Sequence, residues 1–208
     1  MSLLLTTDHG VLNNCYTQDW INSFVELFQS RAVATNERGF NEWNTLVGSH
    51  DHDFFSKLLE QVGFTQEFGK PIIMSLKLRR KDMGPHSDYP LTEQFGTPYK
   101  SYLIPLNNFE SSSTVIFNQT SSDIMGKHAL ETIVKRLPVL PDNENACALS
   151  TLDHVSNDVK SRLSVKKVLP WSRDAIVYWN SNLLHCSCVY NEKFGTSRDA
   201  VIIWTVKD

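Results

Sequence analysis

Pro71-Ile72-Ile73-Met74-Ser75-Leu76-Lys77-Leu78-Arg79 is a stretch with a two-residue period. Ile72, Met74, Leu76 and Leu78 fall on one side and Ile73, Ser75, Lys77 and Arg79 on the other, which predicts a strand. Before it the spacing is helical. Thr17 is placed to cap a segment in which Trp20, Ile21, Phe24, Val25, Leu27 and Phe28 recur at helical intervals. A shorter helix is expected over 54–62, with Asp53 ahead of it and Gly63 as its stop. After the opening stretch, strand signals follow at 99–106, 114–118, 174–179, 184–190 and 200–206, with Gly, Pro, Asn and Ser clusters between most of them. Residues 119–170 differ in character: 123–136 reads helical and stops before Pro138, and 152–163 reads as another short helix. The expected organisation is one domain, mainly β with flanking helices. Helices occupy 1–70, and a β-core over 71–208 is interrupted by an insertion at about 119–170.

Composition narrows the classes. Twenty basic residues against 23 acidic ones give a net charge of −3, which argues against nucleic acid or an anionic membrane as the main partner. Apolar residues at 41% and charged residues at 21% fit a chain that buries a core. The longest apolar runs, 175–179 and 200–204, are five residues each, far short of the roughly 20 that a bilayer span needs. Met1-Ser-Leu-Leu-Leu-Thr-Thr-Asp8 lacks the basic and apolar regions of a secretory signal. Cys15, Cys147, Cys186 and Cys188 do not make a disulfide framework, so a reducing cytoplasm is the expected location.

The chemistry gathers around His86 and Asp88, in Met83-Gly84-Pro85-His86-Ser87-Asp88 directly after the first core strand. On extended backbone, residues two apart project to one face, so an imidazole and a carboxylate can adjoin one metal ion. His185, in Asn182-Leu183-Leu184-His185-Cys186, is the best third ligand. Two imidazoles and one carboxylate on one side of a metal leave positions open for an organic co-substrate and O₂, which suits non-haem Fe(II). Thirteen residues later comes Arg198. If the last two strands pair as a hairpin, its guanidinium returns toward the metal and can grip the far end of a chelating dicarboxylate.

The order His86-x-Asp88, then 102–107, then Thr114-Val115-Ile116-Phe117, then His185 and Arg198 resembles the 2-oxoglutarate/Fe(II) oxygenase superfamily. The tail from Trp171 to Thr205, with Leu184-His185-Cys186 and Ile203-Trp204-Thr205, is similar to small members from marine microbes and their phages. The resemblance implies a double-stranded β-helix core (a jelly roll, cupin-like) with Fe(II) on His86, Asp88 and His185. It implies 2-oxoglutarate and O₂ as co-substrates, ascorbate as a supporting reductant, and the C5 carboxylate of 2-oxoglutarate on Arg198. A tyrosine often assists that carboxylate; Tyr102 is the assignment here, with Tyr99 and Ser101 on the opposite strand face as alternatives. Some members place a serine two residues after the arginine, where this chain has Ala200. The implied activity is a dioxygenase, a hydroxylase coupling decarboxylation of 2-oxoglutarate to C–H hydroxylation of a small-molecule or peptidyl substrate.

Two other readings compete. A cupin-like module retaining its ligand set would bind metal or a small acid without turnover. His50-Asp51-His52-Asp53 could serve a metal-dependent hydrolase, although Asp at a helix N-terminus explains the cluster as capping. His128 and His154 read as structural or exposed. Cys186 reads as a small buried residue, with oxidation as a second possibility beside His185. Lys77, Arg79, Arg80 and Lys81 read as a solvated strand end.

Overall fold

Among the described residues, ten strands in two antiparallel sheets carry the fold. The computed structural model describes residues 7–13, 16–30, 34–35, 40–46, 53, 56–57, 60, 66–79, 84–108, 112–122, 134, 137–140, 146–188 and 198–207. The strands are β1 (His9–Asn13), β2 (Ala34–Thr35), β3 (Phe40–Leu46), β4 (Lys70–Arg79), β5 (Thr97–Pro105), β6 (Ser113–Thr120), β7 (Val165–Pro170), β8 (Ala175–Asn180), β9 (Leu183–Ser187) and β10 (Arg198–Lys207). The larger sheet has the order β1-β8-β5-β10-β4-β3-β2, and the smaller one β7-β6-β9. Helices are α1 (Gln18–Ser30), α2 (Tyr89–Thr92), α3 (Ala146–Ser150) and α4 (Asn157–Lys160). Among the described residues no helix is long and apolar enough to cross a membrane.

The expected strand at 71–79 is β4, and the later strand signals become β5, β6, β8, β9 and β10. Thr17 acts as foreseen: its Oγ1 accepts the Trp20 N–H at 3.4 Å at the start of α1, where Trp20 and Ile21 are buried. Within 54–62, Ser56, Lys57 and Glu60 are helical, as is Asp53; the apolar stripe lies outside the described residues.

Three expectations are corrected. The first 70 residues are not helical throughout, because β1, β2 and β3 join the larger sheet. Residues 165–170 are not part of an insertion; they form β7, paired with β6. The last two strands do not form a hairpin either. β10 lies between β4 and β5 in the larger sheet, whereas β9 pairs with β6 in the smaller one.

The core lies between the sheets. Ile72, Leu103, Val177, Trp179, Ala200, Ile202 and Trp204 from the larger sheet meet Ile116, Leu169 and Leu183 from the smaller one. Strand alternation sends the intervening residues outward. On the outer side of the smaller sheet, Val115, Phe117, Leu184, Cys186 and Cys188 pack with Val134, Leu149, Leu152, Val155, Val159 and Leu163. The described part of the 119–164 segment therefore caps that outer face, on the side opposite the residues that line the sandwich interior.

On the outer side of the larger sheet, the Tyr102 hydroxyl donates to the Phe68 carbonyl at 2.8 Å, and its ring lies near those of Phe68 and Tyr178. Lys100 is buried on the same side. Its Nζ donates to the Thr7 carbonyl at 2.5 Å and to Asn180 Oδ1 at 2.9 Å, beside the rings of Tyr99 and Tyr178. Burial pulls its pKa down to about 8.

Candidate metal centre

The smaller sheet supplies one ligand and the segment after β4 supplies two. His185 is the middle residue of β9, opposite Ile116 of β6, and shares the inward parity of Leu183. His86 is joined to it by a single antiparallel bridge. The His86 N–H donates to the His185 carbonyl at 3.0 Å, and the His185 N–H donates back to the His86 carbonyl at 2.8 Å. This exchange fixes one backbone against the other, and the two imidazole centroids are 4.3 Å apart.

Asp88 is not on extended backbone. It turns into α2 with φ −91° and ψ −4°, and its N–H donates to the Ser181 carbonyl at 3.0 Å. It occupies the position that precedes α2, yet its side chain makes no capping hydrogen bond. The carboxylate instead faces the histidines, with Oδ2 3.5 Å from His185 Nε2. Ligand atoms of His86, Asp88 and His185 all lie within 4.8 Å of one another. Among the described residues, these three are the only His, Cys, Asp or Glu group placed to hold a metal ion.

Both rings are oriented for that task. His86 Nδ1 lies 2.9 Å from the Gly84 carbonyl, and His185 Nδ1 lies 3.2 Å from the Leu183 carbonyl. A carbonyl only accepts, so each Nδ1 carries the proton and each Nε2 presents its lone pair. Asp88 and His185 are buried and His86 is half-buried. Burial alone would raise the Asp88 pKa; the attraction of His185 and His86 in their protonated forms, aided by the neighbouring Ser101 and Trp204, outweighs it and lowers the pKa below its ordinary value. A carboxylate beside two Nε2 atoms, each able to present a lone pair, is a donor set that fits a divalent ion with open positions.

The surroundings of the triad were not foreseen. Trp179 donates its indole N–H to Asp88 Oδ2 at 3.3 Å, and its ring centroid is 4.6 Å from that of His185. Ser101 and Trp204 lie beside Asp88 and help to hold its carboxyl in the charged form. Strand register explains the convergence: Ser101 pairs with both Trp179 and Trp204 across the larger sheet.

The other assigned residues separate. Arg198 opens β10, shares the inward parity of Ala200 and Ile202, and is buried with its guanidinium carbon 4.2 Å from the Trp171 ring centroid. Tyr102 is on the opposite face of β5, held by Phe68, so it does not line the interior where the triad sits. Of its two alternatives, Ser101 is the one that reaches the triad. Cys186 belongs to the outer cluster and faces away from the site. His50, Asp51, His52 and His128 lie outside the described residues; Asp53 is exposed.

No family model matches the sequence, and no characterised protein matches it by sequence alone. Solved structures do match in fold. A prolyl-4-hydroxylase of Pseudomonas putida superposes with a TM-score of 0.55 at 10% identity, over 99% of this chain and 95% of that one. The α-ketoglutarate-dependent epimerase SnoN of nogalamycin biosynthesis gives 0.53 at 7% identity, over 96% and 78%. HygX of Streptomyces hygroscopicus, solved with nickel, 2-oxoglutarate and hygromycin B bound, gives 0.51 at 13% identity, over 96% and 82%. The chain thus has the double-stranded β-helix fold of the 2-oxoglutarate/Fe(II) oxygenase structures.

Proposed function

We propose that this protein is an Fe(II)- and 2-oxoglutarate-dependent oxygenase. One observation carries the reading: two imidazoles with Nδ1 anchored and one ionised carboxylate converge from separate parts of the chain inside this fold. His86, Asp88 and His185 would hold the metal, and Arg198 would pair with the C5 carboxylate of 2-oxoglutarate. When bound, iron, 2-oxoglutarate and O₂ supply oxidative decarboxylation coupled to attack on a substrate C–H bond.

The chain's own residues do the rest. Gly84 and Leu183 hold the Nδ1 protons and so aim both Nε2 atoms inward. Trp179 orients Asp88 and shields it from water. Arg198 is buried with its side chain on the interior face of β10, and its fork of donors would suit bidentate pairing with a carboxylate.

We assign hydroxylation of a small-molecule or peptidyl substrate as the dioxygenase reaction, in a single domain. A hydroxylase and an epimerase both share this fold, so fold alone does not choose the reaction. The free thiols of Cys147, Cys186 and Cys188 support a cytoplasmic location.

The test is an anaerobic titration of the apoprotein with Fe(II) and then 2-oxoglutarate. A visible charge-transfer band on adding the keto acid is expected, and Asp88→Ala should abolish it. Succinate release under air then separates an enzyme from a binding module, which would show the band and no succinate. No band at saturating keto acid would refute the proposal.

A further inference from the structure

We infer that Trp171 is a positioning residue for Arg198, a fixed aromatic shelf that presents the guanidinium to the distal carboxylate of the co-substrate. The inference rests on the role proposed above for Arg198. The two side chains come from different strand ends: Arg198 opens β10, and Trp171 directly follows β7. The guanidinium carbon is 4.2 Å from the ring centroid, and the residues are 3% and 8% exposed, so this cation–π contact is made away from water, where it is strongest.

The indole is itself braced. Its Nε1 donates to the Asn107 carbonyl at 2.7 Å, and the Trp171 backbone N–H donates to the Ser112 carbonyl at 3.1 Å. Asn107 Oδ1 accepts the Asp199 N–H at 3.2 Å, and the Asp199 carbonyl accepts the Leu106 N–H at 2.7 Å. Trp171, Asn107 and the residue after Arg198 thereby close a circuit, so the ring and the strand bearing the cation are held in one frame.

A guanidinium carbon seated over a ring is compatible with a carboxylate clamp. Stacking engages the flat face of a guanidinium, whereas its N–H donors lie in the plane and point past the ring edge. A stacked arginine therefore keeps its bidentate fork. Ordering a long side chain costs free energy when a ligand arrives, and a shelf that orders it beforehand removes part of that cost from binding.

The test uses the full chain loaded anaerobically with Fe(II) and titrated with 2-oxoglutarate, reading the dissociation constant from the charge-transfer band. Metal affinity and thermal melting are measured in parallel. Trp171→Leu should weaken 2-oxoglutarate about tenfold with metal affinity unchanged, and Trp171→Phe, which restores a ring face, should stay within about threefold of the wild type. Should Trp171→Leu fail to fold, Trp171→Met, flexible and without a ring, decides in its place. If Arg198→Ala weakens 2-oxoglutarate but the ringless variant binds like the wild type, the shelf is overturned and the clamp stands. A Phe variant as weak as the ringless one also overturns the shelf. If Arg198→Ala binds 2-oxoglutarate as the wild type does, the clamp itself is wrong, and the shelf falls with it.

Discussion

His86 and His185 exchange two backbone hydrogen bonds, of 3.0 and 2.8 Å, across the gap between the chain after β4 and strand β9. A metal centre needs its ligands placed to within a fraction of an ångström, and side chains on loops rarely achieve this alone. Here the backbone sets the spacing, and the Nδ1 contacts to Gly84 and Leu183 set the ring orientations. Asp88 is the third member, and its orientation depends on side chains from the opposite sheet.

Trp179→Phe should expose that dependence. The variant keeps the ring beside His185 but loses the N–H that meets Asp88 Oδ2. Supports of this kind are worth about 10- to 100-fold in metal affinity. We expect Fe(II) or Mn(II) binding to weaken about tenfold with the melting temperature little changed; calorimetric titration decides, and unchanged affinity would remove Trp179 from the site.

Tyr102→Phe should behave in the opposite way. The hydroxyl is fully buried and serves the Phe68 carbonyl on the outer side of the larger sheet. Losing it should cost about 1 kcal/mol of stability. Affinity for 2-oxoglutarate should not move, and a loss of several-fold would return Tyr102 to the cofactor.

Leu152→Ala asks what the segment over the smaller sheet does. Leu152 is fully buried in the outer cluster. A cavity there should cost about 2–5 kcal/mol by denaturant unfolding. Metal affinity of the folded fraction should be unaffected, because the cluster faces away from His185.

Lys100 gives a pH signature. Its ordinary pKa of 10.5 falls to about 8 in the folded chain. Between those values the unfolded chain holds a proton that the folded one has released, so stability should rise with pH, by at most about 1.4 kcal/mol per pH unit. Tyr99 and Tyr102, whose pKa values burial raises, act in the opposite sense at higher pH. The difference between wild type and Lys100→Met, followed by denaturant midpoints from pH 7 to 10.5, isolates the lysine; a flat difference would contradict the burial argument.

Legibility followed local periodicity. Strand β4 alternates cleanly, and β8 and β10 are apolar runs bounded by polar residues. Strand β3 was invisible because Phe40, Trp43 and Leu46 recur every three residues, and β1 is interrupted by Gly10. Strand β7 carries Val165 and Val168 at helical spacing, and a register shift against β6 breaks its parity. The candidate metal ligands were legible because each had a neighbour-level cue. Trp179 and Trp204 were not, since an indole in an apolar run reads as core until cross-strand register brings it to Asp88. Tyr102 was misplaced for a related reason: β5 is buried continuously from Lys100 to Pro105, so its sequence carries no sign of which face is inward.

The bridge between His86 and His185 also governs when the centre comes into being. No two strands adjacent in the chain build it; it exists only once both sheets have closed on each other. An ion that recognises this arrangement has nothing comparable to bind in the unfolded chain. By mass action, then, a divalent ion held by these side chains would add to the stability of the folded chain by an amount that grows with its supply.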